Sequence, residues 1–498
     1  MSKNVEKYLH KQMDREAGIK HTYHRTKIVA TVGPACDTYE KLLELVKAGV
    51  NVFRLNFSHG THEDKARVIE HIRSINKTEP YNIAILADLQ GPKLRVGEIE
   101  NGALDIETGD ILTFTSKEKV VGTKEKIYVS YPNLHEDVKP GDKILIDDGK
   151  IEVVVVEVNK ASGDIKVAVT YGGRLLPKKG VNLPDTAISL PAMTEKDIAD
   201  FEFIVEQKLD WVALSFVRKA EDMVDLKRRI REKGSDIKAM AKIEMPSALA
   251  DLRNIIIESD GVMIARGDLG VELPVEKVPM AQRDIIRKCI HRAKPVIVAT
   301  QMMESMMERV KPNRSEITDV ANAVLEGADA VMLSGETAMG KHPPLVVSTM
   351  KKIIMEVEAT EYRYNREEDL APQPHSPSFL SDAICYNGCK IAKDVNADAL
   401  IGMTQSGYTG FILSSYRPKS PLYIFTKERS LVNQLSLSWG VRAFYYDEEE
   451  SLDDILMDQI QILKERGFVK PGDIVVNTGS TPVNLHLPTN ILKISKVE

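Results

Sequence analysis

Eight short apolar runs, each closing on polar residues able to do chemistry, constrain this chain more than anything else in it. They read TKIVATVGP from Thr26, VNVFRLNFS from Val50, IAILADLQGP from Ile83, DWVALSFV from Asp210, KAMAKIE from Lys238, GVMIARGDLG from Gly261, PVIVATQM from Pro295 and ADAVMLSGE from Ala328. Between the first three lie TYEKLLELVKAG and HEDKARVIEHIRSINKTE, both with helical spacing and charged faces. Strand–helix–strand units of this length require parallel strands joined by crossover helices. Repeated eight times, the pattern predicts an α/β fold, a (β/α)8 or TIM barrel, in which the C-terminal ends of the strands converge on one site.

The rhythm breaks after Gly91. From about Lys93 to Pro177 the chain is rich in Val, Ile and Thr, with Gly-Asp turns at Gly109, Gly141 and Gly163, and DKILIDDGKIEVVVVEV reads as two strands around an Asp-Gly turn. This predicts an all-β module inserted in the barrel. The barrel resumes near Lys178, where Thr194 and Asp197 have the spacing of a helix N-cap and its acidic N3 residue. The Pro-containing stretch EEDLAPQPHSPSF reads as a boundary. Beyond about Ser376, ALIGMTQ, PLYIFTK, VRAFYY and DIVVNTGS read as strands of a separate open α/β domain, with NILKISKV as an edge strand. The expected organisation is an arm over 1–24, a discontinuous barrel over 25–91 and 178–360, a β-barrel lid over 92–177, and a regulatory or oligomerisation domain over 361–498.

A chain of 498 residues is too long for one ordinary domain. Its net charge of −6 makes no electrostatic case for nucleic acid or an anionic membrane. No apolar run approaches the roughly 20 residues that span a bilayer. The polar N-terminus has no apolar core of a secretory signal and reads as a short helix or a disordered arm. Four cysteines, Cys36, Cys289, Cys385 and Cys389, are too few for a disulfide framework and fit a reducing cytoplasm. Cys385 and Cys389 share a helix face, but no further Cys or His completes a metal set, so they read as buried thiols.

The fifth and sixth strand ends carry the strongest chemical signal. Alternation points Lys242 and Glu244 the same way, and Arg266 and Asp268 the same way. Two carboxylates from adjacent strand ends form a partial shell for Mg²⁺, leaving positions for water and substrate oxygens. A lysine beside them would hold a phosphoryl group or stabilise developing negative charge. The same residues could form a buried Lys–Glu–Arg–Asp network, but charges at barrel strand ends more often serve a site than a core. In RLNFSHG, Arg54, Asn56 and Ser58 share a face, with Arg54 able to fork onto phosphate oxygens; a lone His59 is more often structural. ADLQGPKLR sets Asp88, Lys93 and Arg95 around a Gly91-Pro92 hinge into the module, as a lid over an active-site mouth would need. Thr300 with Gln301, and Ser334 with Glu336, end the last two strands; such hydroxyls bind a carboxylate, relay a proton or simply cap helices. In TQSGYTGF, Thr404, Ser406, Gly407 and Thr409 either offer an anion site at a helix start or cap that helix.

From about Arg25 to the C-terminus the chain closely resembles the pyruvate kinase family, through RLNFSHG, AKIE, ARGDLG, ATQM and LSGETA in combination and through the order of its domains. Met245, where the family usually has a polar residue, lies beyond the chemistry. The resemblance implies Mg²⁺-dependent (or Mn²⁺-dependent) phosphoryl transfer from phosphoenolpyruvate to ADP, giving pyruvate and ATP. It implies that Glu244 and Asp268 bind the divalent metal, that Lys242 bridges the transferring phosphoryl group, and that Arg54 binds phosphate. By the same resemblance, Ala265, Arg266 and Gly267 receive the substrate carboxylate beside Asp268, and Thr300 lies near the face where the enolate is protonated. Ser334 and Glu336 fit the network around proton delivery, and Thr31, Pro34, Arg54, Asn56, His59, Arg95 and Lys179 lie on the nucleotide side.

Most of the family binds K⁺ through Asn, Ser, Asp and Thr, with a Glu after the Gly-Pro. Here Asn56, Ser58 and Asp88 are present, but Leu89 stands for the Thr and Lys93 for the Glu. A lysine near the vacant site supplies the missing charge, so activity independent of K⁺ is expected. The TQSGYTGF loop resembles the family's site for a phosphorylated activator, the family is usually homotetrameric, and the extra phosphate-carrier domain of some relatives is not expected. A Mg²⁺-dependent lyase or aldolase of related barrels is the competing enzyme class, disfavoured by the insertion and the added domain. An inactive metabolite-sensing scaffold would have lost Lys242, Glu244, Asp268 or Arg54, and all four are intact.

Overall fold

The computed structural model describes residues 23–186, 188–359, 364–366, 370–374, 376–447, 451–482 and 487–498. The expected arm therefore lies outside the described residues except for Tyr23 and His24, and the boundary segment around 367–375 lies partly outside them.

All eight apolar runs are strands: Lys27–Thr31, Val52–Asn56, Ala84–Asp88, Trp211–Leu214, Lys238–Ile243, Gly261–Ala265, Val296–Ala299 and Ala330–Leu333. In the order first, eighth, seventh, sixth, fifth, fourth, third, second they close into a barrel. Most of these strands are buried along their whole length. Parallel strands covered on both faces read as continuous Val/Ile/Leu/Ala runs for this reason. The second and fifth strands interrupt that pattern at Arg54, Asn56 and Lys242, which are half-buried.

The inserted module holds a six-stranded, largely antiparallel sheet, with Val181–Asn182 as one edge strand, and a two-stranded sheet of Leu104–Ile106 with Gly173–Leu175, packed over a core that includes Phe114, Val153 and Val167. The Asp-Gly turn joins Lys143–Ile146 to Ile151–Asn159, with Asp147, Asp148 and Gly149 all at positive φ. Asp tolerates that region better than other side chains, and Gly is free in it. The C-terminal sheet holds four parallel strands and, at its edge, the antiparallel Ile491–Lys496.

The chain divides into two compact units, one running to Phe53 with Glu70–Ala84 and everything from Met302, the other Arg54–Ile69 with Ile85–Gln301. The division falls within the barrel rather than at the module's ends. Each unit has long-range bonds of its own. In the first, the buried Arg417 pairs with Asp329 at 3.0 Å and donates to the Gly327 carbonyl at 2.8 Å, and Lys27 Nζ donates to the Val441 carbonyl at 2.8 Å. These join barrel residues to the C-terminal α/β sheet. In the second, Asn182 of the module bonds Glu272 of the helix that follows the sixth barrel strand.

Candidate active site

The second to fifth barrel strands end in one buried charge cluster. Arg54 reaches Asp88 Oδ2 with Nε at 2.7 Å and Nη2 at 2.6 Å. Lys242 Nζ lies 3.1 Å from Asp88 Oδ1 and 2.7 Å from Glu244 Oε1, and donates to Ser215 Oγ at 2.6 Å. Ser215 Oγ donates onward to the Leu89 carbonyl at 2.6 Å. The Phe216 N–H donates to Glu244 Oε2 at 3.2 Å. Asp88 and Glu244 are each 1% exposed.

Burial alone would neutralise these groups, and for Asp88 and Lys242 their neighbours prevent it. Burial pushes the Asp88 carboxyl up, but Lys242 and Arg54 outweigh it and hold the group below the usual carboxylate range. Burial pulls Lys242 down, but the charges of Asp88 and Glu244 carry its ammonium above the ordinary lysine range. Glu244 is pushed up by burial, which Lys242 opposes and Asp268 reinforces. A further cation between Glu244 and Asp268 would relieve that excess of negative charge. Among the described residues no three His, Cys, Asp or Glu cluster as a complete metal cage. Two hard carboxylate donors with open positions suit a divalent ion shared with substrate oxygens.

The helix Arg266–Glu272 starts where the sixth strand ends. Its Gly267 N–H donates to Thr300 Oγ1 at 2.7 Å, and Thr300 Oγ1 donates to the Ala299 carbonyl at 2.6 Å. Arg266 Nη2 donates to the Thr300 carbonyl at 2.8 Å. Thr300 and Gln301 sit at φ 69° and 56°, a conformation costing of order 1–3 kcal/mol that clusters at functional sites. Glu272 Oε1 accepts from Asn182 Nδ2 at 2.8 Å, while burial, with Asp268, Asp185 and Glu244 adding, pushes its carboxyl up to about 7 against that bond. Lys93, Asp148, Asn182, Phe216, Asp268 and Glu272 line a common cleft.

Each of the other residues singled out in the sequence has its own local surroundings. Asn56 Oδ1 accepts the Ser58 N–H at 3.0 Å, and His59 is exposed. Arg95 Nη1 donates to the Lys178 carbonyl at 2.9 Å, and Lys179 pairs with Asp147 at 2.8 Å. Leu89 is buried and Lys93 is exposed in the cleft, while both Asp88 oxygens are taken by Arg54 and Lys242. In the other unit, Thr31 Oγ1 donates to the Leu333 carbonyl at 2.9 Å, and Pro34 is exposed. Both Glu336 oxygens accept backbone N–H groups, from Met303 at 3.1 Å and Ser334 at 2.7 Å. The Ser334 hydroxyl is buried without a hydrogen-bond partner among the described residues. In the C-terminal domain Thr404 Oγ1 accepts the Gly407 N–H at 3.0 Å, Ser406 Oγ accepts the Tyr408 N–H at 3.4 Å, and Thr409 pairs with Thr489 at 2.7 Å.

A family model described as pyruvate kinase, barrel domain, matches residues 23–347, and one described as pyruvate kinase, alpha/beta domain, matches 382–495. The chain belongs to the pyruvate kinase family. A pyruvate kinase of Geobacillus stearothermophilus is 42% identical over 474 residues, covering 94% of this chain and 80% of its own length. One of Clostridium perfringens is 40% identical over 475 residues, covering 95% of this chain and 100% of its own. The crystal structure of a pyruvate kinase from Cryptosporidium parvum superposes with a TM-score of 0.90 at 33% identity, over 97% of this chain and 99% of that one. Membership makes this chain an enzyme, a phosphotransferase. Among the described residues no helix is long and apolar enough to cross a membrane.

Sequence reading missed Ser215, which closes the fourth strand and bonds both Lys242 and the third strand's exit. Its signal was present: DWVALSFV was the one run to which no chemical residue was assigned, although Ser215 stands at its polar end.

Proposed function

We propose that this member of the pyruvate kinase family transfers a phosphoryl group from phosphoenolpyruvate to ADP, giving pyruvate and ATP as the last step of glycolysis. The observation that carries the reading is the Lys242 ammonium, kept charged by Asp88 and Glu244 and bonded to Ser215, with Arg54 on the far oxygen of the same Asp88. Phosphoryl transfer asks for positioning and charge neutralisation more than for covalent catalysis. Lys242 stabilises the charge on the group in flight, and Arg54 binds its oxygens. Gly267 and Arg266 receive the substrate carboxylate beside Asp268. Thr300 orients the enolate; for it to hand over a proton, its hydroxyl must turn away from the Ala299 carbonyl. Arg95 and Lys179 meet the nucleotide phosphates, with Asn56 and His59 nearer the base of the same nucleotide. Glu244 and Asp268 would hold Mg²⁺ or Mn²⁺, which supplies Lewis-acid neutralisation of phosphate and enolate oxygens. An assay coupled to lactate dehydrogenase tests the reaction: no pyruvate formed from phosphoenolpyruvate and ADP would overturn it.

We read the activity as independent of K⁺. Leu89 brings no side-chain oxygen, its carbonyl is engaged by Ser215, and Asp88 is already neutralised by two cations; the exposed Lys93 adds charge at the adjoining cleft. A rate that collapses in K⁺-free buffer and returns with K⁺ would refute this. A phosphorylated activator is the finer reading for the C-terminal domain. The loops after the strands Ala399–Met403 and Ile474–Gly479 flank the point where strand order reverses, the common ligand position in open α/β sheets. Titration with fructose 1,6-bisphosphate, other sugar phosphates and AMP decides it; no response, with Thr404→Ala unchanged, leaves a capped helix. Homotetramer formation in the cytoplasm completes the reading. Exposed Val275, Met280 and Leu380 are candidates for burial between subunits, and sedimentation velocity measures the state.

A further inference from the structure

We propose that Asp197 is a positioning residue that ties the point where the chain leaves the barrel for the β-module to the point where it returns. The helix Glu195–Glu206 begins the return, and Thr194 caps it: Thr194 Oγ1 accepts the Asp197 N–H at 3.1 Å, and Asp197 Oδ2 accepts the Thr194 N–H at 2.9 Å and its hydroxyl at 2.6 Å. A capping box is complete with that one carboxylate oxygen. The other, Oδ1, accepts the N–H of Gly91 at 3.0 Å, across 106 residues of sequence, in the hinge where the chain departs. The Asp197 side chain is wholly buried.

What Asp197 holds is close to the chemistry. Gly91 has φ 70°, and a Cβ there would lie 2.7 Å from Phe216 Cδ2 and 3.0 Å from Ser215 Cβ. It is therefore wedged against the residues that hold Lys242 and Glu244. The neighbouring Lys196 donates to the Phe57 carbonyl at 2.6 Å, so the same helical turn also braces the exit of the second strand. Fixing Gly91 fixes where Lys93, two residues on, enters the cleft. The clasp itself is independent of the reaction; its kinetic consequence rests on the phosphoryl-transfer reading.

The full chain and its Asp197→Ala, Asp197→Asn and Thr194→Val variants are compared by hydrogen-exchange mass spectrometry over residues 89–94 and by the coupled assay. Asp197→Ala is expected to speed exchange of that segment at least tenfold and to raise the KM for ADP more than it lowers kcat. Asp197→Asn, whose amide oxygen still accepts from Gly91, restores both to near wild type. Thr194→Val, which weakens only the cap, leaves both within about twofold. If Asp197→Ala does not fold, Asp197→Ser, too short to reach Gly91, carries the same comparison. Equal exchange in Asp197→Ala (or Ser) and Thr194→Val, or no rescue by Asn, overturns the clasp. An inactive wild-type protein would instead overturn the reaction and leave the exchange result standing.

Discussion

Lys242 keeps its charge where desolvation opposes it, because Asp88 and Glu244 lie within ion-pair distance and Ser215 takes a third bond. Replacing it by Met should lower kcat by about 10³-fold, as loss of a charge-stabilising donor does, with circular dichroism unchanged. Ser215→Ala leaves the Leu89 carbonyl without its donor and Lys242 without one acceptor; kcat should fall roughly tenfold through a misplaced ammonium, in the coupled assay. Glu272 supplies a pH test. Its carboxyl is raised from an ordinary 4.5 to about 7, so its protonated form is the one the fold favours. The contribution is complete below the ordinary value and is lost as pH rises through 7. The Tm of the wild type relative to Glu272→Gln should therefore fall between pH 5 and pH 8; a difference independent of pH would reject the assignment.

At the scale of elements, the strand ends are held by backbone bonds as much as by side chains. Glu336 shows this: with both oxygens on the N–H groups of Met303 and Ser334, it braces the loops after the seventh and eighth strands. Gly91 shows the steric counterpart. Gly91→Ala combines a positive φ with a Cβ contact at 2.7 Å, and should cost about 1–3 kcal/mol in denaturant unfolding. The helix Tyr408–Ser415 shows how one motif can read two ways. The Thr404 and Ser406 hydroxyls accept the N–H groups of Gly407 and Tyr408, but the N-cap itself, Gly407, makes no side-chain cap bond, so the loop is part cap and part open helix start.

Across the whole molecule, the unit containing the C-terminal sheet depends on a buried ion pair. Arg417 and Asp329 are almost wholly buried, with Asp329 Oδ1 also accepting the Trp439 N–H at 3.1 Å and the Arg417 guanidinium lying over the Trp439 ring. Removing one partner strands a buried charge. Asp329→Ala should destabilise the protein by about 3–5 kcal/mol, read as a lower denaturant midpoint, whereas substitution of an exposed ion-pair residue such as Lys166 should be nearly neutral.

Periodicity made much of this legible in the sequence. Eight short apolar runs at crossover spacing pointed to parallel strands covered on both faces, alternation placed Lys242 with Glu244, and the spacing of Thr194 and Asp197 marked a helix start that the structure contains. Those features are local, settled by the geometry of a single strand or turn. The tertiary structure decided which local features meet. Asp88 lies between Arg54 and Lys242, Ser215 between Lys242 and Leu89, and Gly91 against Asp197, on segments far apart in the chain. Such meetings depend on strand register and on the path of the inserted module, which no local period encodes. They also decide what chemistry is open to the site, because a strand-end lysine keeps its charge in a buried cluster only when carboxylates are folded around it.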